Sequence, residues 1–277
     1  MQLVCPVCHK PLSLIPQARQ LVCETGHSFD RAKQGYWNLL LVQSKRSKDP
    51  GDNPDMVKAR TRFLEAGHYR PVLGHISAAV NQYLPQDAQI VDLGCGEGFY
   101  TAGLRQLRSE KGYNDAILGL DISKHAVRVA AKRNTDITWT VGSSARIPLA
   151  DNSLDLALIV FSRVLSEPLE RVLKPGGFVM IAYPTALHLM QLRELIYDQV
   201  REKPFDPEKH LSSNFKLKQI IGAPFDINLE GAQAITDLLA MTPHGQRVND
   251  EKRQGILKQE RLTTRVDIRL AVFQYIP

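Results

Sequence analysis

The chain has 277 residues, enough for one large domain and an appendage, and its 43% hydrophobic, 23% charged composition is that of an ordinary globular protein. No stretch of about 18 apolar residues is present, which excludes a helical membrane span. The start lacks the basic and apolar regions of a secretory signal, so a cytoplasmic protein with reduced cysteines is expected. A net charge of +6 suits an anionic partner, though many basic proteins never touch nucleic acid.

Three of the four cysteines lie in the first 23 residues, as Cys5-Pro6-Val7-Cys8 and Cys23-Glu24-Thr25-Gly26-His27. The spacing C-x2-C-x14-C-x3-H fits a closed tetrahedral zinc site of three thiolates and one imidazole. Each pair fits one tight turn, and residues 12–22 are long enough for a hairpin that returns the chain to the metal. A module spanning residues 1–36 buries too little apolar surface to fold unaided, so the metal is expected to be structural. His9 competes as fourth ligand at poorer spacing, and free cysteines on a loop are the alternative to a metal. Cys95, far from the others, reads as a small buried filler.

Residues 37–70 read as a basic linker followed by a helix that contributes to the sites around it. Arg31, Lys33, Lys45, Arg46 and Lys48 supply cations, and Tyr36 and Trp37 supply flat rings, the two things an RNA surface needs. A solvated linker with two anchoring aromatics fits the composition equally well. Asp49-Pro50-Gly51-Asp52 is a turn, and residues 56–66 predict a helix that stops at Gly67-His68-Tyr69.

From residue 71 to 277 helix and strand alternate. Helices are expected over 72–84, 97–107, 123–133 (capped by Ser123), 167–173 and 187–200. Strands are expected over 89–93, 116–120, 137–141, 154–161 and 178–182, with a late edge strand over 264–275. Such alternation implies an open parallel α/β sheet with helices on both faces.

The first of these strands runs into Val91-Asp92-Leu93-Gly94-Cys95-Gly96-Glu97-Gly98. A glycine turn that leaves a strand and opens a helix lets backbone approach a ligand closely. The pattern is G-x-G-x-G with Asp92 before the turn, and it resembles motif I of the class I S-adenosylmethionine (SAM) methyltransferases. Asp121 ends the second strand, where a carboxylate can accept hydrogen bonds from both ribose hydroxyls. Gly142-Ser143-Ser144-Ala145 closes the third strand, where such enzymes hold the adenine edge. Asp151–Asp155 and Leu173–Gly177 are similar to later methyltransferase motifs.

The pairing of this core with the zinc front end resembles the bacterial 23S rRNA guanine-N1 methyltransferases of the RlmA/RrmA type. The likeness spans essentially the whole chain. It is carried by the Cys5, Cys8, Cys23 and His27 quartet, by Gly35–Leu40 and Lys45–Asp52, and by Gly67-His68-Tyr69. The Asp92–Gly98 turn, His188-Leu189 and Met241-Thr242-Pro243 complete it. The resemblance implies a class I Rossmann-like methyltransferase sheet with a small N-terminal zinc module, SAM as cofactor, 23S rRNA as partner and a homodimer. It implies that Tyr69, Gly96, Glu97 and His188 contact SAM, beside the Asp92, Gly94, Gly98, Asp121 and Ser144 read from the motifs. One stretch departs from the family pattern: Phe161-Ser162-Arg163-Val164-Leu165-Ser166 is shorter than the proline- and cysteine-containing loop expected there. That loop faces the methyl group, so Ser162 and Arg163 are candidates to face the acceptor base, while the catalytic base stays unassigned. A small-molecule (quinone-type) methyltransferase, and an inactive RNA-binding protein with the same fold, are the rival readings.

Overall fold

In the computed structural model, which describes residues 1–44, 47–200 and 204–277, an N-terminal ribbon is docked on an eight-stranded sheet. The ribbon is a three-stranded antiparallel sheet of β1 (Leu12–Ile15), β2 (Gln20–Cys23) and β3 (Ser28–Asp30), which realises the expected hairpin. It is tied to the larger body by a bridge between Leu3 and Leu149 and by the Val4 N–H, which donates to the Pro148 carbonyl at 3.0 Å.

The chain then gives β4 (Trp37–Asn38), α1 (Pro54–Glu65), α2 (Arg70–Tyr83), β5 (Gln89–Leu93), α3 (Phe99–Ser109), β6 (Ala116–Asp121), α4 (Lys124–Arg133) and β7 (Thr138–Val141). After these come β8 (Leu154–Val160), α5 (Ser166–Val172), β9 (Leu173–Pro184), α6 (Met190–Ile196) and β10 (Phe215–Ile221). The chain closes with β11 (Phe225–Glu230), α7 (Ala232–Met241), α8 (Asp250–Leu257), β12 (Arg261–Val266) and β13 (Ile268–Tyr275). Asn53 starts α1 by accepting the Asp55 and Met56 N–H groups, and Ser123 starts α4 by accepting that of Ala126.

The sheet order is β10-β13-β9-β8-β5-β6-β7-β4. From β5 the chain moves outward through β6 and β7 on one side and later through β8 and β9 on the other. The ends of β5 and β8 therefore flank the topological switch point, where ligands bind in open α/β sheets. Both faces are covered: α2, α3 and α4 pack with α6, α7 and the β11–β12 hairpin on one, and α5 packs with Ile147 and Leu149 on the other.

Four expectations need correction. The sheet is mixed, because β13 runs antiparallel to both of its neighbours, β9 and β10. The late strand is two strands: β12 pairs with β11 outside the main sheet, and β13 lies inside it between β9 and β10. The helix expected over 187–200 is confined to α6, which leaves His188 in the turn before it. Trp37 and Asn38, read as the start of a linker, form an edge strand beside β7. Lys45 and Arg46 lie outside the described residues.

Candidate active site and metal centre

A cavity of about 770 Å³ opens at the carboxyl ends of β5, β6, β8 and β9, roofed by α1 and by residues 241–244. Its floor is the glycine turn. Gly94 has φ +86°, and a Cβ there would lie 2.1 Å from Ser162 Oγ. Above Gly96 (φ +56°) a Cβ would meet only an Arg60 nitrogen, at 3.7 Å, so the space there belongs to the cavity. Gly98 does not line the cavity. A Cβ on it would strike Trp139 at 2.6 Å and Ala130 at 2.9 Å, so its part is to let α3 pack closely on the sheet.

The turn is held from β6. Asp121 accepts the Gly96 N–H at 2.9 Å through one carboxylate oxygen and the Ser123 N–H at 2.7 Å through the other. Burial raises its pKa, and those two N–H groups oppose the rise. Glu97 is buried, which raises its pKa too, against the pull of Arg60. Arg60 pairs with Asp52, which forms part of a strap over Asp121: the Ser123 hydroxyl donates to the Asp52 carbonyl at 2.7 Å. Burial disfavours the Arg60 charge, and Asp52, Glu97 and Asp121 more than restore it. Three carboxylates thus surround one guanidinium, which favours a cationic ligand.

Asp92 is 1% exposed, and burial pushes its pKa up to about 7. One of its oxygens accepts the Thr101 hydroxyl at 2.5 Å. The other has no partner among the described residues, and neither has the hydroxyl of Tyr100; both residues line the cavity. A buried polar atom without a partner costs free energy until a ligand supplies one. On the opposite wall the Tyr69 hydroxyl lies 3.4 Å from His188 Nε2, while His188 Nδ1 accepts the Asp267 N–H at 3.2 Å. Burial, then the nearby His244 and Arg193, hold His188 down to about 3.

Of the expected cofactor residues, the cavity gathers Tyr69, Asp92, Gly94, Gly96, Glu97, Asp121 and His188. Ser144, in a short 3-10 helix over residues 144–146, is not among its walls. Ser162 lines it, and Arg163 is exposed outside it. Asp52, Arg60, Phe161 and His244 line it without having been given a role. Asp52 and Phe161 had local signals, the turn and the departing loop that contain them; Arg60 and His244 had none. A carboxylate-lined cradle with open space above Gly96, two unpartnered buried polar atoms and a net negative field fits SAM, whose sulfonium and ammonium groups are cations.

In the ribbon, the ligand atoms of Cys5, Cys8, Cys23 and His27 all lie within 4.8 Å of one another. Cys8 Sγ stands 3.6 Å from Cys23 Sγ, and His27 Nδ1 stands 3.6 and 3.4 Å from the sulfurs of Cys5 and Cys23. Zinc bonds of about 2.3 Å to sulfur and 2.0–2.1 Å to nitrogen give tetrahedral edges of about 3.5–3.8 Å, so the residues fit the ion with all four positions taken by protein. His9 is not part of the cluster. The zinc is structural and SAM is the cofactor of the larger domain.

Fold and site together define a class I SAM-dependent methyltransferase. Residues 3–48 match the zinc-ribbon family described as RlmA, N-terminal, and residues 85–228 match the family described as methyltransferase domain. A protein of Micromonospora griseorubida named "Putative 23S rRNA (guanine-N(1)-)-methyltransferase" is 36% identical over 210 residues, 68% of this chain and 67% of that one. The 23S rRNA (guanine(748)-N(1))-methyltransferase of Streptomyces fradiae is 36% identical over 192 residues, covering 68% of this chain and 65% of that protein. A Bacillus subtilis protein with the same name as the Micromonospora one is 28% identical over 276 residues, 95% of this chain and 94% of its own. The chain belongs to the RlmA-type family of 23S rRNA (guanine-N1)-methyltransferases.

Proposed function

We propose that the protein transfers a methyl group from SAM to N1 of a guanine in 23S rRNA, working in the cytoplasm as a homodimer. The observation that carries this reading is the docking of a closed Cys3His ribbon onto a carboxylate-lined SAM cavity in one chain. A small quinone-type acceptor needs no such ribbon, and an inactive scaffold has no use for the intact Gly94, Gly96 and Asp121 cradle. Among the described residues no helix is long and apolar enough to cross a membrane.

SAM, when bound, supplies an electrophilic methyl on a sulfonium. The protein's residues then hold the reactants. Asp121 would accept from the ribose hydroxyls, Glu97 and Asp92 would offer carboxyl oxygens to its donors, and Tyr69 with His188 would form the far wall. Guanine N1 bears a proton at neutral pH and lies on the pairing edge, so the base must leave any helix it pairs in and give that proton to a carboxylate, a backbone carbonyl or water as N1 takes the methyl from sulfur. Ser162, seated on Gly94, is placed to touch the entering base. An N1-methyl group blocks pairing and stops reverse transcriptase. Ribosomal RNA from cells lacking the protein should lose one stop at a single guanine; identical stops with and without the protein would overturn the proposal. Light scattering of the purified protein tests the dimer.

A further inference from the structure

We propose that Phe161 is the platform on which the acceptor base lies during methyl transfer, a role that rests on reading the acceptor as a guanine. Phe161 is the first residue beyond β8, and its N–H donates to the Ala182 carbonyl on β9 at 3.0 Å. There the backbone turns with φ +54°, a left-handed conformation that a bulky side chain keeps only when its surroundings impose it. Strain of this kind collects at functional sites. The turn seats Ser162 in the space that a Cβ on Gly94 would need, and Phe161 itself lines the cavity.

The ring is apolar and yet 44% exposed, while its neighbours Tyr69 and Tyr100 are 2% and 8% exposed. Their centroids stand 6.4 and 6.3 Å from that of Phe161, inclined at 60° and 67°. Both tyrosines brace the ring and neither is stacked on it. An exposed ring with no aromatic neighbour stacked on it among the described residues, beside the cofactor turn, takes a flat ligand with a π face, which every nucleobase has. The cofactor's own adenosine is an unsuitable occupant. Its ribose carboxylate, Asp121, ends β6, and β6 and β8 lie on opposite sides of β5.

The test is methyl transfer from labelled SAM to ribosomal RNA that lacks the modification, with SAM affinity measured separately by calorimetry. Phe161→Leu should lower kcat/KM for the RNA by about 10- to 100-fold, the usual worth of one stacked base, and leave SAM affinity unchanged. Phe161→Tyr, which keeps the ring, should retain the rate. Phe161→Gly removes the ring and the backbone strain together, so the strain relief offsets part of the lost packing and the variant should stay folded while losing the rate. Equal rates for Phe161→Leu and the parent would overturn the assignment. So would a fall in SAM affinity that matches the fall in rate, or failure of Phe161→Tyr to do better than Phe161→Leu. A parent protein that transfers no methyl to RNA would overturn the guanine reading, and this role with it.

Discussion

The Tyr69 hydroxyl and His188 Nε2 stand 3.4 Å apart, and the polarity of that hydrogen bond is set from a third residue. The Asp267 N–H donates to His188 Nδ1 at 3.2 Å, so the one proton of the neutral imidazole sits on Nε2. His188 therefore donates to Tyr69, and the Tyr69 O–H is left to donate to a ligand in the cavity. His188→Phe should weaken SAM binding about tenfold, the worth of one such hydrogen bond. The pH dependence has a definite sign. A histidine with folded pKa about 3 and ordinary unfolded pKa gives stability that is present near neutrality and lost as pH falls toward 3. Melting temperatures from pH 7.5 to 4 should fall less steeply for His188→Phe; parallel curves would reject the assignment.

Arg60 lies among Asp52, Glu97 and Asp121, and it favours the ionised form of Glu97 and Asp121. Arg60→Met should let these two carboxyls take up protons at higher pH. The acid limb of SAM binding, followed by calorimetry between pH 5 and 8, should move upward in pH. An acid limb that stays in place would show that Arg60 does not set the charge of the cavity.

Gly94 meets two demands, a positive φ and room for Ser162. Gly94→Ala should destabilise the protein by about 1–3 kcal/mol and abolish SAM binding. Adding Ser162→Gly removes the clash and leaves the strain, so urea melts of the double variant should recover part of the loss. Full additivity of the two changes would refute the contact.

The zinc centre should give one ion per chain by elemental analysis. Cys8→Ser, or a strong chelator, should open residues 1–36 to protease, because the ribbon buries little besides Leu12, Leu21, Trp37 and Leu39 around its cysteines. SAM affinity should survive, since no ribbon residue lines the cavity. Loss of SAM binding on chelation would mean that the ribbon supports the cofactor site directly.

The metal quartet and the glycine turn were legible because their residues are close in sequence and their spacing mirrors their geometry. Arg60 was not, since it is defined by partners such as the Met241 carbonyl, 181 residues away. The end of the chain misled for a different reason. Val266, Ile268, Leu270 and Val272 keep one alternating phase straight through Asp267, where the chain leaves β12, paired with β11, and enters the main sheet as β13. The apolar residues of the opposite phase, Ala271 and Phe273, are buried as well, and they mark an interior strand. His188 was expected on a helix and stands in a turn, because Leu189 takes a left-handed conformation before α6 begins.

The position of β13 has a consequence for biosynthesis. The inner strands β5, β6 and β7 can pair as they leave the ribosome, but β9 waits for β13 to cover its open edge, and β10 has no partner until then. Asp267, which orients His188, sits at the entrance to that same last strand. The nascent chain therefore completes the glycine-turn side of the cavity before the wall that carries His188.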